Sequence, residues 1–168
     1  MTTNTDNPDA IPDGTMIDAR QSAAALEIQR GVARILYQHG FASLTELPLP
    51  NGRRVDVIGI NEAGEIWIVE IKSSLEDFRS DNKWPDYREF CDRLYFAVKP
   101  DFPLSILPED TGVILADRYG GEITRPAPEM RLAGARRKSM TLRFARAAAL
   151  RFTIAINPAL AGIIDLAK

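Results

Sequence analysis

The sequence predicts an α/β protein in which helices flank a mixed β-sheet. An amphipathic segment with helical periodicity comes first, several apolar runs of strand length follow, and a second helical pattern lies near the end. The chain has 168 residues and 45% hydrophobic content, which suits one globular domain with a sizeable core. We therefore expect residues 19–168 to form a single domain.

Residues 1–18 differ in composition from the rest of the chain. Thr, Asn, Asp and Pro dominate there, and four aspartates have no basic residue among them. Such a stretch has little apolar surface to bury, so we expect a disordered acidic tail. It lacks the cationic start and apolar run of a signal peptide, and no segment approaches the roughly 18 apolar residues of a membrane span. The single cysteine, Cys91, excludes an internal disulfide and fits a reducing cytoplasm.

The first helix is predicted over residues 19–39. Asp18 and Gln21 have the spacing of a capping box, and Gly40 fits a helix stop next to His39, which we expect to have a capping role. Gly31 lies inside this helix at a cost of about 1 kcal/mol, so we expect close packing at that point. The apolar stripe of the helix consists of Ile28, Val32, Ile35 and Leu36.

Five strands and two more helices are predicted after the first helix. The strands, each an apolar or alternating run bounded by turn residues, are 42–49, 53–60, 65–72, 94–98 and 113–116. Residues 74–92 are expected to be helical or helix-like with a break or restart near Trp84, because Pro85 cannot continue a helix. A polar link over 122–129 leads to a final helix over 133–152.

Asp56, Glu70 and Lys72 are the residues most indicative of chemistry. They lie on two strands joined by a polar turn with a glycine, which predicts a hairpin. If Ile60 pairs with Ile66, the antiparallel register places Asp56 opposite Glu70, and Lys72 shares the face of Glu70. Two carboxylates beside an ammonium indicate a divalent-metal site with a charge-stabilising group. The alternative is that all three charges lie on the solvated face of an antiparallel sheet.

Four longer segments of the sequence resemble those of a known protein family. Val-Glu-Ile-Lys-Ser-Ser and three further segments resemble the MmcB-like family of bacterial DNA-repair proteins; the four segments are 69–74, 77–87, 91–98 and 135–148. The resemblance runs from about Ala19 to Arg151. The Asp and Glu-x-Lys strands followed by a helix also resemble the core of the PD-(D/E)xK nuclease superfamily. This resemblance implies a restriction-endonuclease-like sheet.

The resemblance also implies roles for individual residues. Asp56, Glu70 and the backbone carbonyl of Ile71 would hold Mg²⁺ or Mn²⁺, which are hard cations that prefer oxygen ligands. Lys72 would orient the attacking water or stabilise the developing negative charge. In the superfamily a glutamate of the first helix completes the acidic cluster, and Glu27 is the candidate here. Glu46, on the strand that follows, is the alternative candidate for this third acid.

Basic residues concentrate in the C-terminal part of the chain. Residues 130–164 carry seven Lys and Arg and no acid, whereas the rest carries 14 Lys and Arg against 23 Asp and Glu. This asymmetry favours a partner with phosphates. The alternative is a solvated face with Arg stems packed along the surface. The candidate DNA contacts on the final helix are Arg136, Arg137, Lys138, Arg143 and Arg146.

Three residues after the hairpin are further candidates for DNA contact. Lys83 would contact a phosphate, and Trp84 or Tyr87 would stack on a base or a strand end. The alternative is that both aromatic rings pack against the sheet while Lys83 remains solvated.

The sequence therefore predicts a DNA-repair protein of the cytoplasm, associated with the nucleoid, that cleaves DNA phosphodiester bonds with a divalent metal. DNA is the expected partner, together with other repair proteins. The alternative function is a non-catalytic DNA-binding or scaffold module that keeps the nuclease fold. RNA as the substrate is a weaker third option.

Overall fold

The computed structural model describes residues 22–164, and a mixed six-stranded sheet runs through them. The predicted acidic tail, Asp18 and Gln21 lie outside the described residues. The helices and strands in chain order are α1 (Ala23–Gln38), β1 (Phe41–Pro48), β2 (Arg54–Asn61), β3 (Ile66–Lys72), α2 (Leu75–Ser80), β4 (Arg93–Val98), β5 (Gly112–Asp117), β6 (Gly120–Arg125) and α3 (Gly134–Ile156). Short 3-10 helices cover Trp84–Phe90, Leu104–Ile106 and Pro158–Leu160. No helix within residues 22–164 is long and apolar enough to cross a membrane.

The strands lie in the sheet in their chain order, from β1 to β6. β1, β2 and β3 are antiparallel neighbours, β3, β4 and β5 are parallel, and β6 runs antiparallel to β5. Ile60 pairs with Ile66, which confirms the predicted register of the hairpin. The expected α/β class, with helices flanking a mixed sheet, is confirmed. β6 was not predicted, because it is a largely exposed edge strand whose one large apolar residue is Ile123.

Each face of the sheet carries its own apolar core. Helix α1 covers one face, where its stripe packs against residues of the central strands that include Val57, Trp67, Val69, Ile71 and Tyr95. Helix α3 and the 3-10 helix Trp84–Phe90 cover the opposite face, where Met140, Phe90, Ile58 and Ile68 are buried. Because neighbouring residues of a strand point to opposite faces, Glu70 and Lys72 lie opposite the α1 side.

Helix α1 starts four residues later than the sequence predicted. Ser22 has an extended backbone, and its hydroxyl oxygen accepts the Ala25 N–H at 3.1 Å, so Ser22 caps the helix. At the other end His39 caps α1 as predicted: its backbone N–H donates to the carbonyl oxygens of the last turn, and Gly40 takes a positive φ of 79°.

Gly31 lies where α1 crosses the turn between β5 and β6. A Cβ atom added there would lie 2.3 Å from the backbone oxygen of Asp117 and 2.4 Å from that of Gly120. The close packing that the sequence predicts at Gly31 is therefore present. It fixes α1 against the β5–β6 end of the sheet.

The predicted helix over residues 74–92 is shorter and divided. Helix α2 ends at Ser80, and Asp81 takes an extended backbone with φ −95° and ψ 106°. The chain becomes helical again at Trp84, with Pro85 in the first turn, where its missing N–H costs nothing. The predicted restart near Trp84 is confirmed. The first helical segment ends earlier, at Ser80, and this early end places Asp81 beside the end of β3.

Candidate functional site

A cavity of about 460 Å³ opens at the end of the β2–β3 hairpin. Asp56 from β2 and Glu70 and Lys72 from β3 line it, as the sequence predicts for a shared site. Residues of α2 and the segment after it form a second wall. The N-terminus of α1, with Ser22 and Ala25, forms part of the rim.

The two hairpin carboxylates replace backbone hydrogen bonds where the strands separate. The paired part of the β2–β3 ladder ends at Val57 and Val69. Beyond it, Asp56 Oδ2 accepts the Ile71 N–H at 2.8 Å, and Glu70 Oε1 accepts the Asp56 N–H at 3.3 Å. These reciprocal bonds fix both acids side by side and use one oxygen of each carboxylate.

Lys72 lies buried between two acids, with 5% of its side chain exposed. Its Nζ donates to Asp81 Oδ2 at 2.5 Å and lies 3.9 Å from Glu70 Oε2. Asp81 comes from the extended residue that ends α2. The ammonium is therefore bound mainly to a carboxylate that the sequence did not single out.

Asp77 organises the wall of the cavity next to Lys72. Its Oδ2 accepts the Ser73 backbone N–H at 3.1 Å, and the Ser73 hydroxyl lies 3.4 Å from the same oxygen. The Ser74 hydroxyl in turn accepts the Asp77 N–H and caps α2. These contacts hold the start of α2 against the end of β3.

Burial dominates the electrostatics of the site. It raises the pKa of Glu70 well above its ordinary range, and the neighbouring charge of Asp56 raises it further. Burial likewise raises the pKa of Asp56. Burial alone would lower the pKa of Lys72, but the hydrogen bond to Asp81 and the surrounding carboxylates outweigh it and raise that pKa. Lys72 is therefore a charged ammonium at neutral pH, beside two acids that repel each other.

The donor set fits a divalent cation. Asp56 and Glu70 each retain one oxygen that the reciprocal bonds do not use, and a cation between them would relieve the repulsion that raises the pKa of Glu70. Within residues 22–164, no three His, Cys, Asp or Glu side chains form a cluster suited to a metal ion. Any site here would therefore draw on two carboxylates, with the Ile71 carbonyl as the predicted third ligand.

The structure does not bring Glu27 or Glu46 into the cavity. The Glu27 carboxylate pairs with Lys99 at 3.3 Å, because its position on α1 faces the end of β4. Glu46 pairs with Arg54 at 3.5 Å and adopts a positive φ of 50° within β1. The expectation that Glu27 completes the acidic cluster is corrected accordingly. Glu46, the alternative candidate, does not join the cluster either.

The three candidates for DNA contact after the hairpin, Lys83, Trp84 and Tyr87, lie in different environments. Lys83 is exposed and lines the cavity. Trp84 packs edge-on against Phe96 with ring centroids 5.5 Å apart, and the Arg88 guanidinium lies over its ring. Tyr87 is 4% exposed, and its hydroxyl donates to the Arg54 carbonyl oxygen. Both aromatic rings therefore pack within the protein, which is the alternative to base stacking given above.

The predicted basic stripe on α3 is only partly available to a partner. Arg137 binds both oxygens of buried Asp92 at 2.7 Å, so its role is structural and its predicted DNA contact is corrected. Arg136 lies over the Phe90 ring, and Arg143 donates to a backbone oxygen of β1. The exposed members of the stripe are Lys138 and Arg146.

Besides Ser22 and Ala25, five lining residues were not predicted from the sequence: Arg54, Ser73, Asp77, Ser80 and Asp81. A signal for one of them exists in the sequence. Ser74 and Asp77 have the Ser-x-x-Asp spacing of a helix start, and they form the N-terminus of α2. Asp81 has no such signal, because it has an extended backbone after the end of α2.

Comparison with known proteins supports the resemblance. A family profile described as "DNA repair protein MmcB-like" matches residues 12–159. The chain belongs to the MmcB-like family. A solved structure, the SPO1766 protein of unknown function from Silicibacter pomeroyi, is similar to this MmcB-like chain at 45% sequence identity with a TM-score of 0.80. The similarity covers 86% of this chain and 99% of that one. No curated protein matches the chain.

Proposed function

We propose that this MmcB-like protein acts in DNA repair by hydrolysing DNA phosphodiester bonds, with Mg²⁺ or Mn²⁺ held by Asp56 and Glu70. The observation that supports this most is the pair of reciprocal hydrogen bonds that brings both acids together beside Lys72. The order of residues, an Asp on one strand and Glu-x-Lys on the next, is that of the PD-(D/E)xK nucleases. The proposal therefore includes membership of that superfamily and a restriction-endonuclease-like sheet.

Each side chain of the hairpin has a distinct task in this proposal. Asp56, Glu70 and the Ile71 carbonyl would hold the cation, which when bound makes a water more acidic and offsets charge on the scissile phosphate. Lys72 would stabilise the negative charge that develops on the phosphate oxygens. In the reaction, water adds to phosphorus, one P–O ester bond breaks, and the leaving sugar oxygen takes a proton.

Positive features at the cavity rim would bind the DNA backbone. Lys83 and Arg54 line the cavity, and the N-terminus of α1 presents the positive end of its helix dipole there. Away from the cavity, the exposed Lys138 and Arg146 would contact phosphates farther along the strand. These positive groups would attract phosphates to the rim of a cavity that also holds four carboxylates, those of Asp56, Glu70, Asp77 and Asp81.

A second candidate function is a non-catalytic DNA-binding or scaffold module in repair. Two observations favour it. No third acid joins the two hairpin carboxylates in a metal cluster within the described residues, and Lys72 is already neutralised by Asp81. Under this reading the family would keep the nuclease fold for binding DNA or other repair proteins.

A cleavage panel separates the two functions. Labelled single-stranded, duplex, flapped and branched DNAs would be incubated with Mg²⁺ or Mn²⁺, with EDTA as the control, and single-stranded RNA would be included. We expect metal-dependent cleavage of at least one DNA, lost in Asp56→Asn and Glu70→Gln. The matched control is Glu62→Gln, which removes an exposed acid at the other end of the same hairpin and should cleave like the wild type. Folded wild-type protein that binds DNA but cleaves none of the substrates would establish the scaffold function instead.

A further inference from the structure

We propose that Asp81 is a positioning residue that holds the Lys72 ammonium away from Glu70 and fixes it for the reaction. This inference rests on the proposed function and deepens it. Lys72 has two carboxylates within reach, and the geometry is unequal: Asp81 Oδ2 lies 2.5 Å from Nζ and Glu70 Oε2 lies 3.9 Å from it.

A lysine requires such a partner to hold one position. Its ammonium is a point charge on a flexible four-carbon stem, with three donors that can turn towards any nearby acceptor. Without Asp81, the nearest carboxylate to Lys72 would be Glu70. The ammonium would then compete with the cation for the Glu70 oxygen that the hairpin bonds leave unused. Asp81 therefore keeps the proposed ligand free and holds Lys72 in one position.

Asp81 is itself firmly held. Its Oδ1 accepts the Lys83 backbone N–H at 2.8 Å, which leaves Oδ2 for Lys72. Its own N–H donates to the Phe78 carbonyl oxygen and closes α2. The beginning of α2 is tied to the end of β3 through Asp77 and Ser73. The early break of the helix at Ser80 thus places a carboxylate with one fixed oxygen beside the ammonium.

The arrangement also distinguishes Asp81 from a metal ligand. Both of its oxygens already accept hydrogen bonds, one from a backbone N–H and one from Lys72. Asp56 and Glu70, in contrast, each use one oxygen in the hairpin bonds. Removing the Asp81 charge should therefore affect cation binding only through Lys72, which would then compete for the Glu70 oxygen.

The first experiment measures Lys72 directly and needs no enzymatic activity. Wild-type protein, Asp81→Asn and Asp81→Ala would be treated with acetic anhydride in EDTA, and acetylation of Lys72 would be followed by peptide mass spectrometry. The control is Asp86→Asn, which removes an exposed acid that pairs with Arg53 outside the cavity. We expect Lys72 in both Asp81 variants to react about tenfold faster, the change produced by losing one charge-assisted hydrogen bond. Equal Lys72 reactivity in all four proteins would overturn the inference.

The second experiment uses cleavage kinetics. We expect Asp81→Asn to lower kcat by about 10-fold to 100-fold, because misplacing a reacting group costs that much. The KM for DNA should stay within about twofold, since uniform binding is not affected. The Mn²⁺ affinity should fall, because Lys72 then competes for the Glu70 oxygen. In a Lys72→Ala background Asp81→Asn should have no further effect, because both residues act through the same ammonium. Multiplicative losses of kcat in the double variant, or weaker Mn²⁺ binding in the double variant than in Lys72→Ala alone, would contradict the inference.

The two experiments also separate this inference from the proposed function. If the wild type cleaves no DNA, the nuclease proposal fails, and the acetylation rates decide whether Asp81 holds Lys72. If the wild type cleaves DNA and Asp81→Asn retains the full kcat, the nuclease proposal stands and the role of Asp81 is refuted.

Discussion

Arg137→Ala should destabilise the protein strongly, because Arg137 neutralises a buried acid. Asp92 is 2% exposed, and its oxygens accept the backbone N–H groups of Ile66 and Leu132 as well as both terminal nitrogens of Arg137. Arg137 also donates to the Gly64 carbonyl oxygen in the hairpin turn. The pair thus joins the start of β3, the hairpin turn and the first turn of α3.

The size of this effect follows from the burial of the pair. Removing one partner of a buried ion pair costs about 3–5 kcal/mol, because it leaves an uncompensated charge. The Arg137 side chain is 27% exposed and Asp92 keeps two backbone donors, so we expect the lower end, about 3 kcal/mol. With a urea m-value of about 1–3 kcal/mol/M, the unfolding midpoint should fall by about 1–3 M.

The assay is urea unfolding followed by circular dichroism at neutral pH. The control is Lys138→Ala, which changes the exposed neighbour and should stay within about 0.5 kcal/mol of the wild type. Burial would raise the pKa of Asp92, but the bonds from Arg137 and two backbone N–H groups hold it below the ordinary 3.8. A carboxylate whose pKa is lowered in the folded protein contributes stability above its unfolded-state pKa, and that stability is lost as the pH falls. The difference in unfolding free energy between the wild type and Arg137→Ala should therefore shrink below about pH 4. A difference under about 1 kcal/mol at neutral pH would refute the reasoning.

Three other predictions test separate parts of the account. Burial and the neighbouring acid raise the pKa of Glu70, so the stability that its proton gives is present below about pH 4.5 and is lost as the pH rises. In EDTA the free energy of unfolding of the wild type should therefore fall relative to that of Glu70→Gln as the pH rises, and parallel pH curves would contradict this. Gly31→Ala should cost about 1–3 kcal/mol in thermal or urea unfolding, because its Cβ would overlap backbone oxygens, whereas Gly134→Ala, with open space around it, should cost nothing. Changing Lys138 and Arg146 together to Ala should lower the slope of log affinity for duplex DNA against log salt concentration by up to about 1.8, which is about 0.9 for each lost phosphate contact. An unchanged slope would show that both side chains are solvated and contact no phosphate.

The hairpin and the contact between its two acids could be predicted because local rules fix them. Alternating apolar residues and a glycine turn determine the register, and the register in turn brings Asp56 to Glu70. The same logic predicted the apolar stripe of α1 and the close packing at Gly31. The register and the stripe are decided by residues close together in the sequence. At Gly31 the sequence indicated only that packing is close, whereas its partners, Asp117 and Gly120, are distant in the chain.

The parts that were missed depend on contacts between distant segments. Nothing in the local sequence shows that Arg137 binds Asp92, 45 residues earlier, instead of pointing to solvent with its basic neighbours. The role of Asp81 likewise depends on the early end of α2, which brings it to Lys72. Glu27 was placed by resemblance to a superfamily pattern, and its ion pair with Lys99 depends on how α1 crosses the sheet.

The most direct test of the central claim is Mn²⁺ binding to the purified protein, measured by electron paramagnetic resonance of the free ion. We expect binding at the hairpin site in the wild type, in Glu62→Gln and in Lys72→Ala, because the acids of the site provide the ligands and Lys72 does not. Asp56→Asn and Glu70→Gln should each lose this binding while remaining folded. Equal Mn²⁺ binding in the wild type and both acid variants, or none in the wild type, would contradict a cation site between Asp56 and Glu70.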